Sequence, residues 1–140
     1  LELMATLHDI GKIGISSHIL AKPGALDDTE WLEIRKHPEI GYRIALTIPE
    51  LQGIADYILC HHERWDGKGY PQGLAGQDIP YISRIISILD AFDAMTADRV
   101  YQKAIAKEAA IEEIQTHAGT QFDPEIANAF IKCVQGIDPK

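Results

Sequence analysis

The chain has 140 residues, which is enough for one domain with one hydrophobic core. Apolar residues make up 46% of the sequence and charged residues 24%, and no apolar run reaches the roughly 18 residues that mark a membrane-spanning helix. The net charge of -8 argues against DNA or RNA as a partner, because nucleic-acid binding requires a basic surface.

Helical patterns dominate the chain, with breaks at glycine and proline. Asp27 followed by Glu30 is typical of a capping box, and Asp123 followed by Pro124 is typical of an N-cap and a first helical turn. The predicted helices, in chain order, cover residues 1–8, 27–36, 38–47, 50–62, 81–96, 107–117 and 123–134. Residues 12–26 are expected to form a connector. Since no stretch alternates as a strand does, the predicted class is all-α.

The segment 64–80 differs from the rest because it holds four glycines and two prolines. Loops of this length are usually functional or disordered. Trp65, Tyr70 and Leu74 are apolar anchors that favour order. We therefore expect a long, ordered Gly- and Pro-rich loop.

The two cysteines and the start of the chain indicate the cellular setting. Cys60 and Cys133 match no Cys-x-x-Cys spacing, and we expect two buried free thiols in a cytoplasmic protein. The first seven residues are too short for a signal peptide, and no initiator Met opens the chain. The sequence is interpreted as one excised domain covering residues 1–140.

Histidine and aspartate residues form a candidate metal-ligand set. Its members are His8, Asp9, His37, His61, His62 and Asp90. Each is weak evidence alone, but together they supply the mixed nitrogen and oxygen ligands that suit Fe, Mn, Co, Ni or Zn. Bound cations would also offset the repulsion between this acidic chain and a phosphate-bearing substrate.

Asp90 is the most informative carboxylate of this set. It falls beside Ile86 and Leu89, on or next to the apolar face of the strongest predicted helix. A carboxylate there is costly unless it is paired or ligated. A buried salt bridge and metal ligation both explain it.

The neighbouring histidines His61 and His62 favour a site with more than one metal. If both lie on a helix, their side chains point about 100° apart. One metal cannot easily bind both, whereas two neighbouring metals can.

Several segments together resemble the HD-GYP family. Residues 8–15 resemble its HD-x-GKIGI segment, and residues 61–74 resemble its HHE-x-x-DG-x-GYP-x-GL segment. Further matches follow in the family's order at Lys22-Pro23-Gly24, His37-Pro38, residues 90–96 and Phe122-Asp123-Pro124. The resemblance covers essentially the whole chain, and the second segment is too long for a chance match.

This resemblance implies a fold and an activity. The fold would be an all-helical HD-superfamily bundle with two or three divalent metals, iron or manganese above all, with zinc, nickel and cobalt as alternatives. The activity would be hydrolysis of cyclic di-GMP to linear pGpG or to GMP. The ligands it implies are the six residues of the candidate set, with Asp9 bridging two metals.

The resemblance also implies roles around the metals. Lys12 would act with Asp9 in catalysis by contacting the scissile phosphate, and Asp93 would orient a ligand from behind. The Gly69-Tyr70-Pro71 loop would shape the rim of the site and offer a surface to a protein partner. The residues implied to contact the nucleotide are Lys12, Tyr70, Arg99 and Lys103.

Two departures from the family pattern keep alternatives open. The family has a further His ligand upstream of the HD pair, so the chain is expected to lack its first helices. Gln102 stands where the family often has a cation, and Lys103 would compensate. An incomplete domain would expose apolar residues of its first helix, which a homodimer partner would cover. The alternatives to catalysis on cyclic di-GMP are a cyclic-dinucleotide sensor or docking module, and a phosphohydrolase for another nucleotide.

Overall fold

The structure, a computed structural model, describes residues 2–98 and 102–137. Over these two ranges it has eight α-helices, three short 3-10 segments and no β-strand, which confirms the all-α class. The α-helices are α1 (Glu2–Leu7), α2 (Ser17–Leu20), α3 (Asp28–Ile34), α4 (His37–Thr47), α5 (Ala55–Cys60), α6 (Tyr81–Thr96), α7 (Lys107–Thr116) and α8 (Pro124–Ile137). The 3-10 segments are Ile10–Gly14, Pro49–Ile54 and Gly76–Asp78.

Local capping signals account for the helix boundaries that the sequence predicted correctly. At α3, Asp27 Oδ1 accepts a hydrogen bond from Glu30 N at 2.8 Å, and Asp27 N donates to Glu30 Oε1 at 2.9 Å, which completes the capping box. At α8, Asp123 Oδ1 accepts from the amide of Glu125 at 2.9 Å. These side chains satisfy amides that have no partner inside the helix.

Two predicted segments differ from the structure. The helix predicted over 50–62 is a 3-10 segment followed by α5, and α5 ends at Cys60, before the histidine pair. The predicted connector contains α2 and most of the first 3-10 segment. Gly53 explains why the α-helix begins only after residue 54, because a glycine in a helix interior weakens the helix. Cys133 also differs: it is exposed, whereas Cys60 is buried as expected.

Helix α6 joins two hydrophobic clusters. Met4, Ile58 and Ile86 belong to the first cluster, which α1, α4, α5 and α6 build. Ile88 and Ile114 belong to the second, which α6, α7 and α8 build. Helix α6 packs into both clusters through Ile86 and Ile88, and Asp90 follows directly on the same helix. This packing fixes the position of Asp90 relative to α1. None of the described helices is long and apolar enough to cross a membrane.

The first 3-10 segment and α4 approach each other at two glycines. A Cβ added to Gly11 would lie 1.8 Å from the carbonyl oxygen of His37 and 2.6 Å from the amide nitrogen of Gly41. A Cβ on Gly41 would lie 2.8 Å from a methyl carbon of Ile58. No side chain fits at either position, so backbone packs directly on backbone. This contact brings Asp9 and Lys12 to the start of α4, where His37 lies.

Candidate metal centre

Four of the candidate ligands meet in one group. Asp9, His37, His61 and His62 each offer a ligand atom, and these atoms lie within 4.8 Å of one another. Asp9 Oδ1 is 3.1 Å from His37 Nε2 and 3.3 Å from His61 Nε2. His62 Nε2 is 3.2 Å from His37 Nε2. His37 and His61 are almost fully buried, whereas Asp9 and His62 are partly exposed, so the group has a buried side and a side that solvent can reach.

A second group shares Asp9 with the first. Its members are His8, Asp9 and Asp90. His8 Nε2 lies 3.3 Å from Asp9 Oδ2 and 3.4 Å from Asp90 Oδ1. The two oxygens of Asp9 therefore face different groups: Oδ1 faces His37 and His61, and Oδ2 faces His8. A carboxylate in this position can bridge two cations.

The histidines are oriented by the backbone behind them. His8 Nδ1 lies 2.9 Å from the carbonyl oxygen of Ala5, three residues earlier. His37 and His61 repeat this contact with the carbonyls three residues before them, at 2.7 and 2.6 Å. An Nδ1–H that donates to a carbonyl leaves Nε2 with its lone pair, which is the form that binds metals. All three Nε2 atoms face the two groups.

The pKa values of His62 and Asp9 favour the metal-binding forms of these two side chains. Burial, followed by the charges of His61 and His37, lowers the pKa of His62 to about 3, so this imidazole is neutral at physiological pH. Burial opposes ionisation of Asp9, but its contacts with the histidines outweigh burial and hold the pKa of the carboxyl well below its usual range. Neutral imidazole and ionised carboxylate are the states that ligate metal ions.

His8 supplies a further indication that a cation fits. Its pKa is raised to about 10, by Asp9 first and Asp90 second, against the opposing effect of burial. Its Nε2 atom is buried and makes no well-formed hydrogen bond with any described residue. A buried nitrogen that has only long contacts of this kind, here 3.3 and 3.4 Å to Asp9 and Asp90, is costly. The imidazoles and carboxylates of the two groups form a donor set that suits a divalent transition metal, and binding there would displace the His8 proton.

The argument that one metal cannot easily bind both His61 and His62 rests on a premise that the structure contradicts. That argument placed both side chains on a helix, but α5 ends at Cys60. In the turn that follows, the two Nε2 atoms converge on His37 Nε2, at 3.3 Å from His61 and 3.2 Å from His62. The structure still contains two ligand groups, but they meet at Asp9 and not at the histidine pair.

The residues predicted around the metals have different positions. Lys12 Nζ lies 3.3 Å from Asp9 Oδ2, and its side chain is 42% exposed. Asp93 borders the same small cavity as His8 and Asp90, one turn of α6 beyond Asp90. Lys103 is exposed, and Arg99 lies outside the described residues. The roles of these residues and of the six ligands stay predictions, as do protein docking through the Gly69-Tyr70-Pro71 loop and homodimerisation.

Tyr70 forms a stack at the edge of the first group. Its ring lies parallel to that of His62, with centroids 5.0 Å apart and an angle of 14° between the planes. Burial raises the pKa of Tyr70 to about 12, so the hydroxyl stays protonated. The tyrosine of the Gly-Tyr-Pro segment thus packs against one face of the His62 ring, which is a candidate metal ligand.

Glu63 holds the long loop, a role that the sequence did not reveal. Its buried carboxylate accepts hydrogen bonds from the amides of Gln72 at 2.7 Å and Leu74 at 3.0 Å. Gly69 allows the loop to pass close to the backbone of His62, since a Cβ at this position would lie 2.5 Å from the carbonyl oxygen of His62. The only sequence signal was the position of a carboxylate directly after the histidine pair. These bonds confirm that the loop is ordered.

Together, the fold and the two groups define an all-helical protein with a partly buried cluster of His and Asp side chains that could bind metal ions. A family model described as "HD domain" matches residues 1–126. The chain therefore belongs to the HD domain family, and the family resemblance inferred from its motifs is confirmed.

Similar proteins agree with this assignment. A cyclic di-GMP phosphodiesterase of Thermotoga maritima is 44% identical over 139 residues, which is 98% of this chain and 38% of that protein. A cyclic di-GMP phosphodiesterase response regulator of Xanthomonas campestris pv. campestris is 40% identical over 134 residues, which is 94% of this chain and 35% of that protein. The chain thus spans little more than a third of the length of these relatives.

A solved structure shows the same fold. It is a cyclic GMP-AMP specific phosphodiesterase of V. cholerae, with a TM-score of 0.69 and 21% sequence identity. The likeness covers 94% of this chain and 36% of that one. At this level of identity it supports the helical architecture.

Proposed function

We propose that this protein is a metal-dependent phosphodiesterase that hydrolyses cyclic di-GMP, in the cytoplasm, to pGpG or GMP. The observation that carries the proposal is the pair of ligand groups that share Asp9. A carboxylate whose two oxygens face separate groups of ligands suits a site with two cations, and such sites are common in enzymes that cleave phosphodiesters. The similar proteins named above support the substrate class.

Each side chain would have a specific task. Asp9, His37, His61 and His62 would hold one cation, and His8 and Asp90 would join Asp9 around another. Nitrogen and oxygen donors without thiolate suit Fe, Mn, Co, Ni or Zn. Among these metals, the family resemblance favours iron or manganese. When bound, such ions make water nucleophilic near neutral pH and take up charge on the phosphoryl oxygens.

Lys12 would act on the phosphate itself. Asp9 Oδ2 holds its ammonium group 3.3 Å away, beside the shared carboxylate. From there the ammonium can donate to a phosphoryl oxygen and stabilise the negative charge that grows there in the transition state. Since the side chain is partly exposed, a substrate can reach it without rearrangement of the core.

The first test is elemental analysis of the protein purified without chelators, together with a cyclic di-GMP turnover assay. We expect at least two transition-metal ions per chain and turnover. Asp9→Ala should lose turnover and most bound metal, because it removes the residue that both groups share. Full activity in a metal-replete Asp9→Ala protein would refute the assignment. Tight cyclic di-GMP binding without turnover in the metal-replete wild type would favour a sensor instead.

A further inference from the structure

A cationic cavity borders the candidate metal centre. It has a volume of about 310 Å³, and His62 and Tyr70 form part of its wall. The charged side chains that line it are Arg35, Arg64 and Lys68. These are cations in a chain whose net charge is -8, so the cavity is a local exception to the charge of the molecule. A phosphate next to the metal centre would be attracted here.

Arg35 is held in place by an aromatic stack. Its guanidinium carbon lies 4.5 Å from the centroid of the Tyr70 ring, and that ring stacks on His62. A guanidinium over an aromatic face keeps its N–H groups free at the edge, where they can donate to a phosphate. The stack thus connects Arg35 to a candidate ligand of the metal.

Arg35 differs from nearby cations in having no carboxylate partner among the residues that the structure describes. Arg64 donates to both oxygens of Asp66, at 3.1 and 2.9 Å, and Lys36 Nζ lies 2.7 Å from Glu33 Oε1. Among the described residues, no carboxylate lies within ion-pair distance of the Arg35 guanidinium. Its charge is therefore available to an anionic ligand, whereas that of Arg64 is already neutralised.

Trp31 lies one helical turn before Arg35 and borders the same cavity. It is 51% exposed, which leaves a large aromatic surface in contact with solvent. It also borders a second cavity of about 660 Å³, which Lys12 lines as well. Residues four apart lie on the same side of a helix, so Trp31 and Arg35 form one face beside the metal centre. An exposed aromatic ring beside a cationic cavity can serve as a platform on which a nucleobase stacks.

We propose that Trp31 and Arg35 form the surface that recognises the part of the substrate not under attack. Arg35 binds the second phosphate of a cyclic dinucleotide while the first lies at the metals and Lys12, and Trp31 stacks against a base. This inference rests on the proposed function and adds to it the residues that select a dinucleotide over a simple phosphodiester.

The test compares two substrates in the Mn²⁺-loaded protein: cyclic di-GMP, and bis(p-nitrophenyl) phosphate, which has one phosphate and no nucleobase. Arg35→Gln and Trp31→Ala should each raise KM for cyclic di-GMP about tenfold, the loss expected for one stacked base or one charged hydrogen bond. Hydrolysis of bis(p-nitrophenyl) phosphate and metal content should stay within about twofold of wild type, because neither change touches a ligand. Trp31→Phe should restore most of the affinity.

Neighbouring substitutions on the same helix turn serve as controls. Leu32 is 61% exposed and borders neither cavity, and Lys36 is paired with Glu33, so Leu32→Ala and Lys36→Gln should leave both substrates unaffected. An unchanged KM for cyclic di-GMP in Arg35→Gln and Trp31→Ala would overturn the inference. Parallel loss of both substrates together with metal would also overturn it, since Arg35 would then act through Tyr70 on the metal site. If the wild type cleaves bis(p-nitrophenyl) phosphate but neither binds nor cleaves cyclic di-GMP, the proposed substrate fails, and this inference with it.

Discussion

Gly11 provides the sharpest test of how the fold positions the metal centre. In Gly11→Ala the new methyl group would lie 1.8 Å from the His37 carbonyl oxygen, whereas real Cβ contacts are essentially never shorter than 3.0 Å. The first 3-10 segment and α4 must therefore separate by about 1 Å, and backbone cannot yield as the end of a flexible side chain can. Asp9 lies on the segment that moves, and its Oδ1 is now 3.1 Å from His37 Nε2.

The cost of this substitution should be large for a single methyl group. Overpacking usually costs about 1–3 kcal/mol, and a clash with main-chain atoms belongs at the upper end, at about 3 kcal/mol. For a chain of this size that corresponds to a fall in Tm of roughly 10 °C. Metal retention should fall as well, because the shift separates Asp9 from the histidines.

The assay is urea unfolding followed by circular dichroism, with metal content measured on the same samples. Gly53→Ala is the matched control, since nothing lies within 4 Å of a Cβ added at Gly53. It should change the free energy of unfolding by less than about 1 kcal/mol, on the stabilising side. If Gly11→Ala behaves like Gly53→Ala in both measurements, close backbone packing is not what holds Asp9 in place.

Three further outcomes follow from the structure. Glu63→Ala leaves the amides of Gln72 and Leu74 without their acceptor and should lower the free energy of unfolding by about 2 kcal/mol. Proteolysis within residues 64–80 should become faster. Equal proteolysis rates in the variant and the wild type would contradict the role of Glu63 in anchoring this loop. Arg84→Met leaves the buried carboxylate of Asp123 without its partner and should lower the free energy of unfolding in urea by about 3 kcal/mol. Arg43→Met, at the exposed pair with Glu39, should lower it by less than about 0.5 kcal/mol. Similar losses in the two variants would argue against a difference between the buried and the exposed ion pair. Iodoacetamide should label exposed Cys133 much faster than buried Cys60, whose pKa burial raises to about 11, and peptide mapping that finds equal rates would count against this fold.

Much of the helical framework could be predicted from local sequence signals. The helix predicted over residues 81–96 matches α6 at both ends, and the capping box at Asp27 marks the start of α3. Such signals work because capping and amphipathic periodicity depend on residues within one or two turns. The helix predicted over 50–62 was wrong because its true end depends on contacts with distant residues. The helix stops at Cys60, and the two histidines that follow pack against α4 and Asp9.

The candidate ligand set and the family could be predicted from residue types and motif spacing, but the grouping of the candidate ligands could not. Asp9 and His61 are 52 residues apart, and His37 and His61 are 24 apart. Their contacts depend on how α1, α4, α5 and α6 pack in one core, and on two glycines that let backbones touch.

Sequence signals alone predict the helical class, most helix boundaries, the ordered loop and the residue types of the candidate ligands, because these depend on neighbouring residues. Three-dimensional packing was needed to place Asp9 in both candidate ligand groups and to bring His61 and His62 into one of them. It was also needed to stack Arg35 on Tyr70 without a carboxylate partner among the described residues. Those features arise where segments distant in the chain meet, and packing free energy, not local preference, determines which segments meet.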